Sequence, residues 1–414
     1  MIRSLLVLVL LVPARAFAAE DPLAHAERVL AAHPVIDGHN DLPWAIRENA
    51  AAPRDVAAYD LRARTPGNTD LARLKAGHVG GQFWSVYTPG ESKFEDYARI
   101  QLEQIDIARQ VVARYPELAW APTADDMERA LRAGRVGSTL GLEGGHAIQN
   151  SLGALRAYYD LGVRYMTLTH NVTLDWADCA AEPGRHGGLT RFGEEVVREM
   201  NRLGMLVALS HVSVDTMDDA LRVSEAPVIF SHSSARALDD VPRDVPDEIL
   251  KRVGPNGGIV MVTFVPSFIS KAVAEAYKAR EEELKARTRD VAEGPAKEKA
   301  AREFKAAHPI PRVTIAQVAD HVDHVRQVAG VDHVGLGGDY DGNDEWPEGL
   351  EDVSSYPKLF AELVRRGWSD EDLARLADGN ILRVWRQAEA VARRLQASRP
   401  ASVATIEELD GKKN

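Results

Sequence analysis

The stretch Val35-Ile36-Asp37-Gly38-His39-Asn40-Asp41 sets the reading of this chain: a short apolar run that ends in side chains able to bind a metal. The same pattern recurs. Leu140-Gly141-Leu142 ends in Glu143, Met166-Thr167-Leu168-Thr169 in His170, Leu206-Val207-Ala208-Leu209-Ser210 in His211, Val228-Ile229-Phe230-Ser231 in His232, and Val334-Gly335-Leu336-Gly337-Gly338 in Asp339. Short apolar runs bounded by glycine or proline read as strands buried on both faces of a parallel sheet. A polar ligand at each C-terminal end is the layout of a (β/α)8 TIM-like barrel, which assembles its active site at that rim.

Eight strands are expected, at about 34–38, 80–86, 137–142, 164–169, 205–210, 226–231, 257–264 and 333–338. Amphipathic stretches at 97–114, 152–161, 190–203, 214–224 and 245–253 read as helices between them, and strand–helix alternation means a parallel sheet with right-handed crossovers. Ser213 is placed to cap one helix, and Thr190 gives a weaker capping signal for another. Residues 270–307 are dominated by Lys, Arg, Glu and Ala without a strong apolar stripe. They read as a charged helical insertion after strand seven. Leaving from a C-terminal strand end, it is a surface excursion, an overhang of the active site or a contact with a neighbouring subunit.

The N-terminus is set apart. Met1-Ile2-Arg3 precedes an aliphatic run from Leu5 to Val12, then Pro13 and the small-residue exit Ala16-Phe17-Ala18. These are the parts of a secretory signal peptide, and the run is too short to span a bilayer as a helix. The expected organisation is a signal peptide over 1–19, a single (β/α)8 domain over 20–395, and a polar, partly mobile C-terminal tail over 396–414. Export to the periplasm or the exterior is expected, with no stable membrane anchor. The formal net charge of −12 argues against nucleic acid and anionic membranes as partners. With Cys179 as the one cysteine, no internal disulfide and no cysteine-rich metal site can form, so any metal rests on histidines and carboxylates.

Five side chains carry that chemistry. His39 and Asp41, at i and i+2, leave a strand on the same side. Glu143, between Leu142 and Gly144-Gly145, has the open space to approach two ions. His211 and His232 end two successive strands, each preceded by serine. Sharing Glu143 gives each of two cations three protein ligands and leaves room for solvent, the stoichiometry of a catalytic site with a bridging hydroxide as nucleophile. In Gly337-Gly338-Asp339-Tyr340-Asp341-Gly342 a carboxylate beside the metals suits a proton shuttle; spacing alone leaves Asp339 and Asp341 as rivals. His170, outside the ligand set, is placed to polarise a carbonyl or stabilise an oxyanion. Arg243 is a candidate clamp for a substrate carboxylate, with Arg236 as competitor.

At these residues the chain resembles the renal (membrane) dipeptidase family. The matching stretches are 36–44, Glu143-Gly144-Gly145-His146, Tyr165 to His170 with Trp176-Ala177-Asp178, Ser210-His211-Val212-Ser213, 226–234, 337–342 and 347–353. The resemblance implies a binuclear zinc dipeptidase that cleaves unblocked dipeptides, accepts a D-residue at the C-terminal position and forms a homodimer. It implies that His39 and Asp41 hold one zinc, His211 and His232 the other, and that Glu143 bridges them. It further implies that His170 stabilises the oxyanion, Arg243 holds the C-terminal carboxylate and Asp339 shuttles protons near the free amino end. The family's vertebrate members carry extra cysteines and a lipid-anchor signal that are missing here; Val265-Pro266 and the 270–307 insertion also depart from the pattern and bear on side-chain preference. The alternatives are another binuclear hydrolase of the same barrel group (a lactonase, phosphotriesterase or deaminase) and a non-catalytic exported protein that binds zinc or peptide.

Overall fold

Nine parallel strands organise the computed structural model, which describes residues 20–90, 96–291 and 295–411. They are β1 (Val35–Asn40), β2 (Val79–Ser85), β3 (Leu118–Trp120), β4 (Val136–Glu143), β5 (Val163–Thr167), β6 (Leu206–Ala208), β7 (Ile229–Phe230), β8 (Ile259–Val262) and β9 (Val334–Leu336). Eight close into a barrel in the order β1-β2-β4-β5-β6-β7-β8-β9, with β9 returning to β1 through Asp37 and Leu336. The eight expected strands are these eight.

β3 was not anticipated. Three residues are too few to show a period. It pairs with β4 at Val136–Ser138, before β5 takes up its own pairing at Leu140. Several ladders also stop earlier than the apolar runs do. Past β6 and β9 the backbone turns into the left-handed region at His211 (φ 71°) and Asp339 (φ 63°). That conformation is costly for residues other than glycine, and it marks where the chain leaves the sheet to present a side chain.

Alternation along the strands builds two apolar shells. Val35, Val207 and Val260 face outward onto the helices. Ile36, Leu206, Ile259 and Met261 face the barrel interior. The helix Asn380–Ser398 plugs the lower end, and its Trp385 ring lies 5.3 Å from Phe83, which lies 5.5 Å from Tyr165. Gly141 makes room for Tyr165: a Cβ there would sit 2.0 Å from the phenol ring. This column of rings ends directly beneath the rim.

Both expected caps form. Ser213 Oγ accepts from Thr216 N at 3.2 Å, and Thr190 Oγ1 accepts from Gly193 N at 3.2 Å. The insertion after the seventh barrel strand is helical, with helices Lys271–Thr288 and Pro295–Ala307. The first of these does have a buried stripe: Val273, Arg280, Leu284 and Thr288. Two of the four are polar, which hid the stripe in the sequence. Residues 396–411 pack back against the barrel's helices. The helix continues to Ser398, Ser402 N bonds Glu199 at 3.3 Å, and Asp410 accepts from Thr190 Oγ1 at 2.6 Å. The expected signal peptide lies outside the described residues. No helix among the described residues is long and apolar enough to cross a membrane.

Candidate metal centre

The rim of the barrel gathers the side chains that end its strands. β1 delivers His39 and then Asp41, which begins the short helix Leu42–Arg47. β4 ends on Glu143. His170, His211, His232 and Asp339 leave from β5, β6, β7 and β9 respectively. All five expected ligands are buried.

Glu143 stands at the centre and its two oxygens face different partners. Oε2 lies 3.4 Å from His39 Nε2, while Oε1 lies 3.0 Å from His211 Nε2 and 3.4 Å from His232 Nε2. His39 Nε2 is in turn 3.2 Å from Asp41 Oδ2 and 3.8 Å from Asp339 Oδ1. His211 and His232 aim their Nε2 atoms at each other across 2.9 Å. His170 Nε2 is 3.9 Å from Glu143 Oε1. Three sets of ligand atoms fall within 4.8 Å of one another: His39 with Glu143 and His232, Glu143 with His170 and His211, and His39 with Asp41 and Asp339.

The other nitrogen of each histidine is held from behind. His39 Nδ1 meets the Tyr165 hydroxyl at 2.6 Å, His211 Nδ1 meets Asn171 Oδ1 at 3.2 Å, and His232 Nδ1 meets Ser231 Oγ at 2.9 Å. Bonding at Nδ1 fixes each ring and turns the Nε2 lone pair inward, as metal ligation requires. Of these supporting residues, Ser231 stood out in sequence as part of the Ser-His repeat; Asn171 gave no signal.

The electrostatics agree with a cation site. Burial pushes the His211 and His232 imidazoles well below the usual range, with Arg243 adding to the effect on His211 and His39 to that on His232. They are therefore neutral and able to ligate. Burial works against charge on His39 too, but Tyr165, Glu143 and Asp41 outweigh it and hold its proton well above the ordinary value. The negative field that favours a proton there favours a metal ion equally. Burial opposes ionisation of Glu143, yet the His39 charge and the close approach of His211 and His232 keep it well below the usual carboxylate range. His39 Nε2 and Asp41 Oδ1 are buried without a hydrogen-bond partner. Orphaned buried atoms of this kind call for a ligand, and the N/O donor set suits zinc.

Asp339 and Asp341 both line the cleft but differ in what they touch. Asp339 faces His39 and lines the cleft above the ligands. Burial drives its carboxyl well above the ordinary range; the His39 charge opposes this, and Asp41 and Glu143 reinforce it. Asp341 also reaches the cleft, but its Oδ1 accepts from Asn68 N at 2.7 Å, and burial raises it to about 6. Gly342 leaves the space both neighbours need: a Cβ there would lie 2.4 Å from Asp41 and 2.6 Å from Asp339. Arg243 lines the same cleft and is buried, with Nη1 bonded to Ser233 Oγ and Nη2 to the His232 carbonyl, each at 3.1 Å. Its Nε is buried without a hydrogen-bond partner. Arg236 bonds the Pro242 carbonyl at 2.6 Å and does not line the cleft. The cleft encloses about 760 Å³. It is large enough for two amino-acid residues between the candidate metal ligands and Arg243, in the size range of small-molecule sites.

Comparison with known proteins gives the family of the chain. The sequence model of the family described as membrane dipeptidase (peptidase family M19) matches residues 23–399. The chain is similar in structure to the probable dipeptidase PvdM from Pseudomonas aeruginosa, at 22% identity and a TM-score of 0.77, covering 90% of this chain and 99% of that one. It is similar to a metallo peptidase from Rhodobacter sphaeroides liganded with a phosphinate mimic of the dipeptide L-Ala-D-Ala, at 24% identity and a TM-score of 0.70, covering 86% and 99%. Dipeptidase AC, a metallo peptidase, is 25% identical with a TM-score of 0.70 over 86% and 98%.

Proposed function

This chain belongs to the membrane dipeptidase family, and from that premise we propose that it is an exported, zinc-dependent dipeptidase that cleaves unblocked dipeptides and accepts a D-residue at the C-terminal position. Members of the family are hydrolytic enzymes, which sets aside the binding-protein alternative. The observation that carries the reading is the division of Glu143 between His39 on one oxygen and His211 with His232 on the other.

His39 and Asp41 would hold one zinc, His211 and His232 the second, with Glu143 shared. Such a pair, when bound, would supply a hydroxide nucleophile at neutral pH and polarise the scissile carbonyl. The protein's own groups do the rest. Arg243 binds the C-terminal carboxylate and so sets which end of the dipeptide enters first. His170, in edge-on contact with Tyr87 at 5.0 Å, donates to the oxygen that becomes negative as the carbonyl turns tetrahedral. Asp339 receives a proton from the attacking water and returns it to the departing amine. A dipeptide with a free amine and a free carboxylate fills the space between Asp339 and Arg243; blocking either end removes a partner or adds bulk.

Three supports stand behind the finer claims. The donor set is nitrogen and oxygen at buried positions, as zinc sites use. The Rhodobacter sphaeroides relative was solved with an L-Ala-D-Ala mimic. Residues 1–19 have the composition of an export signal. The test is a panel of dipeptides in both C-terminal configurations, assayed on metal-stripped and zinc-restored protein. Turnover that needs zinc and both free termini supports the reading. Rapid cleavage of N-acetylated dipeptides or longer peptides contradicts it.

A further inference from the structure

We infer that the helix inserted after the seventh barrel strand builds the subsite for the side chain of the substrate's C-terminal residue and selects apolar side chains there; the inference rests on the dipeptidase reading. The helix Lys271–Thr288 is rich in charge, yet it turns Ala274 and Tyr277 into the catalytic cleft. These two lie three apart, on one face of the helix. Val265 and Phe268, just upstream, line the same wall, and Val241-Pro242 closes it beside Arg243. None of these six side chains carries a charge. The helix's charged Lys271, Glu275 and Lys278 are exposed.

Position ties this wall to the C-terminal residue rather than the N-terminal one. The Phe268 ring lies 4.9 Å from the Arg243 guanidinium carbon, so the wall is continuous with the group that holds the carboxylate. Asp339 and Asp41, which face the amine and the scissile bond, come from β9 and β1, the next two strands round the rim from β8, whereas Phe268 reaches back towards Arg243. A side chain on the carbon bearing the carboxylate therefore meets Phe268, Ala274 and Tyr277. An apolar one is removed from water against them. An acidic one loses water, finds no cation among these residues and meets Asp344 at the same cleft.

The helix is fixed in this place. Arg280, one turn beyond Tyr277, is buried and pairs with Glu345 at 2.5 Å, and its guanidinium lies 5.4 Å from the Tyr277 ring. Lys305 of the second inserted helix pairs with Asp344 at 3.1 Å. Glu345 and Asp344 follow the loop that carries Asp339 and Asp341. The insertion is thus pinned between β8 and the loop that follows the neighbouring β9, which makes it a fixed wall.

The experiment compares kcat/KM for L-Ala-L-Leu, L-Ala-L-Asp and L-Ala-Gly with the zinc-loaded full chain, its Ala274→Phe variant and its Tyr277→Ala variant. The wild type is expected to prefer leucine over aspartate by tenfold or more. Ala274→Phe fills the wall and should lower the leucine-to-glycine ratio by about tenfold; Tyr277→Ala should lower the leucine-to-aspartate ratio by about fivefold or more. Ratios within twofold of wild type in both variants, with cleavage of L-Ala-Gly intact in the wild type, overturn this inference while leaving the dipeptidase reading standing. Failure of the wild type to cleave any of the three peptides strikes the dipeptidase reading itself.

Discussion

The hydroxyl of Tyr165 lies 2.6 Å from Nδ1 of His39, at the top of a column of rings that runs up the barrel through Trp385 and Phe83. The proposed metal ligand thereby rests on the packed core. Replacement of Tyr165 by phenylalanine keeps the ring and removes the hydrogen bond. Loss of such a supporting partner typically costs about 10- to 100-fold in metal affinity. Tyr165→Phe is expected to bind zinc more weakly by that factor in chelator-competition titrations, with unfolding little changed.

Asp339 and Asp341 predict different outcomes. Asp339→Asn removes the proposed proton carrier, and kcat is expected to fall by about 10²- to 10⁴-fold. Asp341→Asn perturbs the Asn68 turn and should cost less than about tenfold. Steady-state kinetics on one dipeptide distinguishes the two, and equal losses would remove the assignment of the shuttle to Asp339.

Arg243 is tested by the substrate's charge. Arg243→Met is expected to lower kcat/KM by roughly 10²-fold or more, as for loss of a buried charge partner. The variant should also lose discrimination between a free dipeptide and its C-terminal amide. Arg243→Lys should rescue only partly, because lysine lacks the planar fork.

A pH dependence of stability follows from His321. Its Nδ1 accepts from Ala235 N at 3.0 Å and its Nε2 donates to the Ile269 carbonyl at 3.1 Å, which ties the Arg243 loop to the start of the insertion. Burial pushes this imidazole down to about 4. The unfolded chain therefore binds the proton first. Stability from this site is full above about 6.5 and is lost as pH falls towards 4, by about 3 kcal/mol. Urea melts of metal-stripped protein should show the wild type losing that amount relative to His321→Gln over this interval. Parallel pH profiles for the two proteins would refute it.

The ends of the strands were legible because the barrel demands buried runs and the chemistry demands ligands where they stop. His39, Glu143, His211 and His232 are read in that way, and the structure brings them together. What the sequence withheld depends on contacts between distant segments. Asn171 supports His211 from a loop with no pattern. Asp37 reads as one more polar residue in β1, yet it is fully buried and takes hydrogen bonds from Gln82, Gly338 N and the Tyr356 hydroxyl. The preference for Asp339 over Asp341 rests on which carboxylate faces His39 and which is taken up by Asn68 N, and that for Arg243 over Arg236 on which side chain reaches the cleft; spacing can give neither. The wall formed by the insertion was hidden because a buried stripe containing Arg280 and Thr288 does not look apolar.

The account stands on two cations flanking Glu143. Anomalous diffraction at the zinc edge, from crystals of active zinc-loaded protein, measures this directly. The account predicts two peaks about 3.5–4 Å apart, one beside His39 and Asp41 and the other beside His211 and His232. A single peak, or none, in protein that still hydrolyses dipeptides would contradict it.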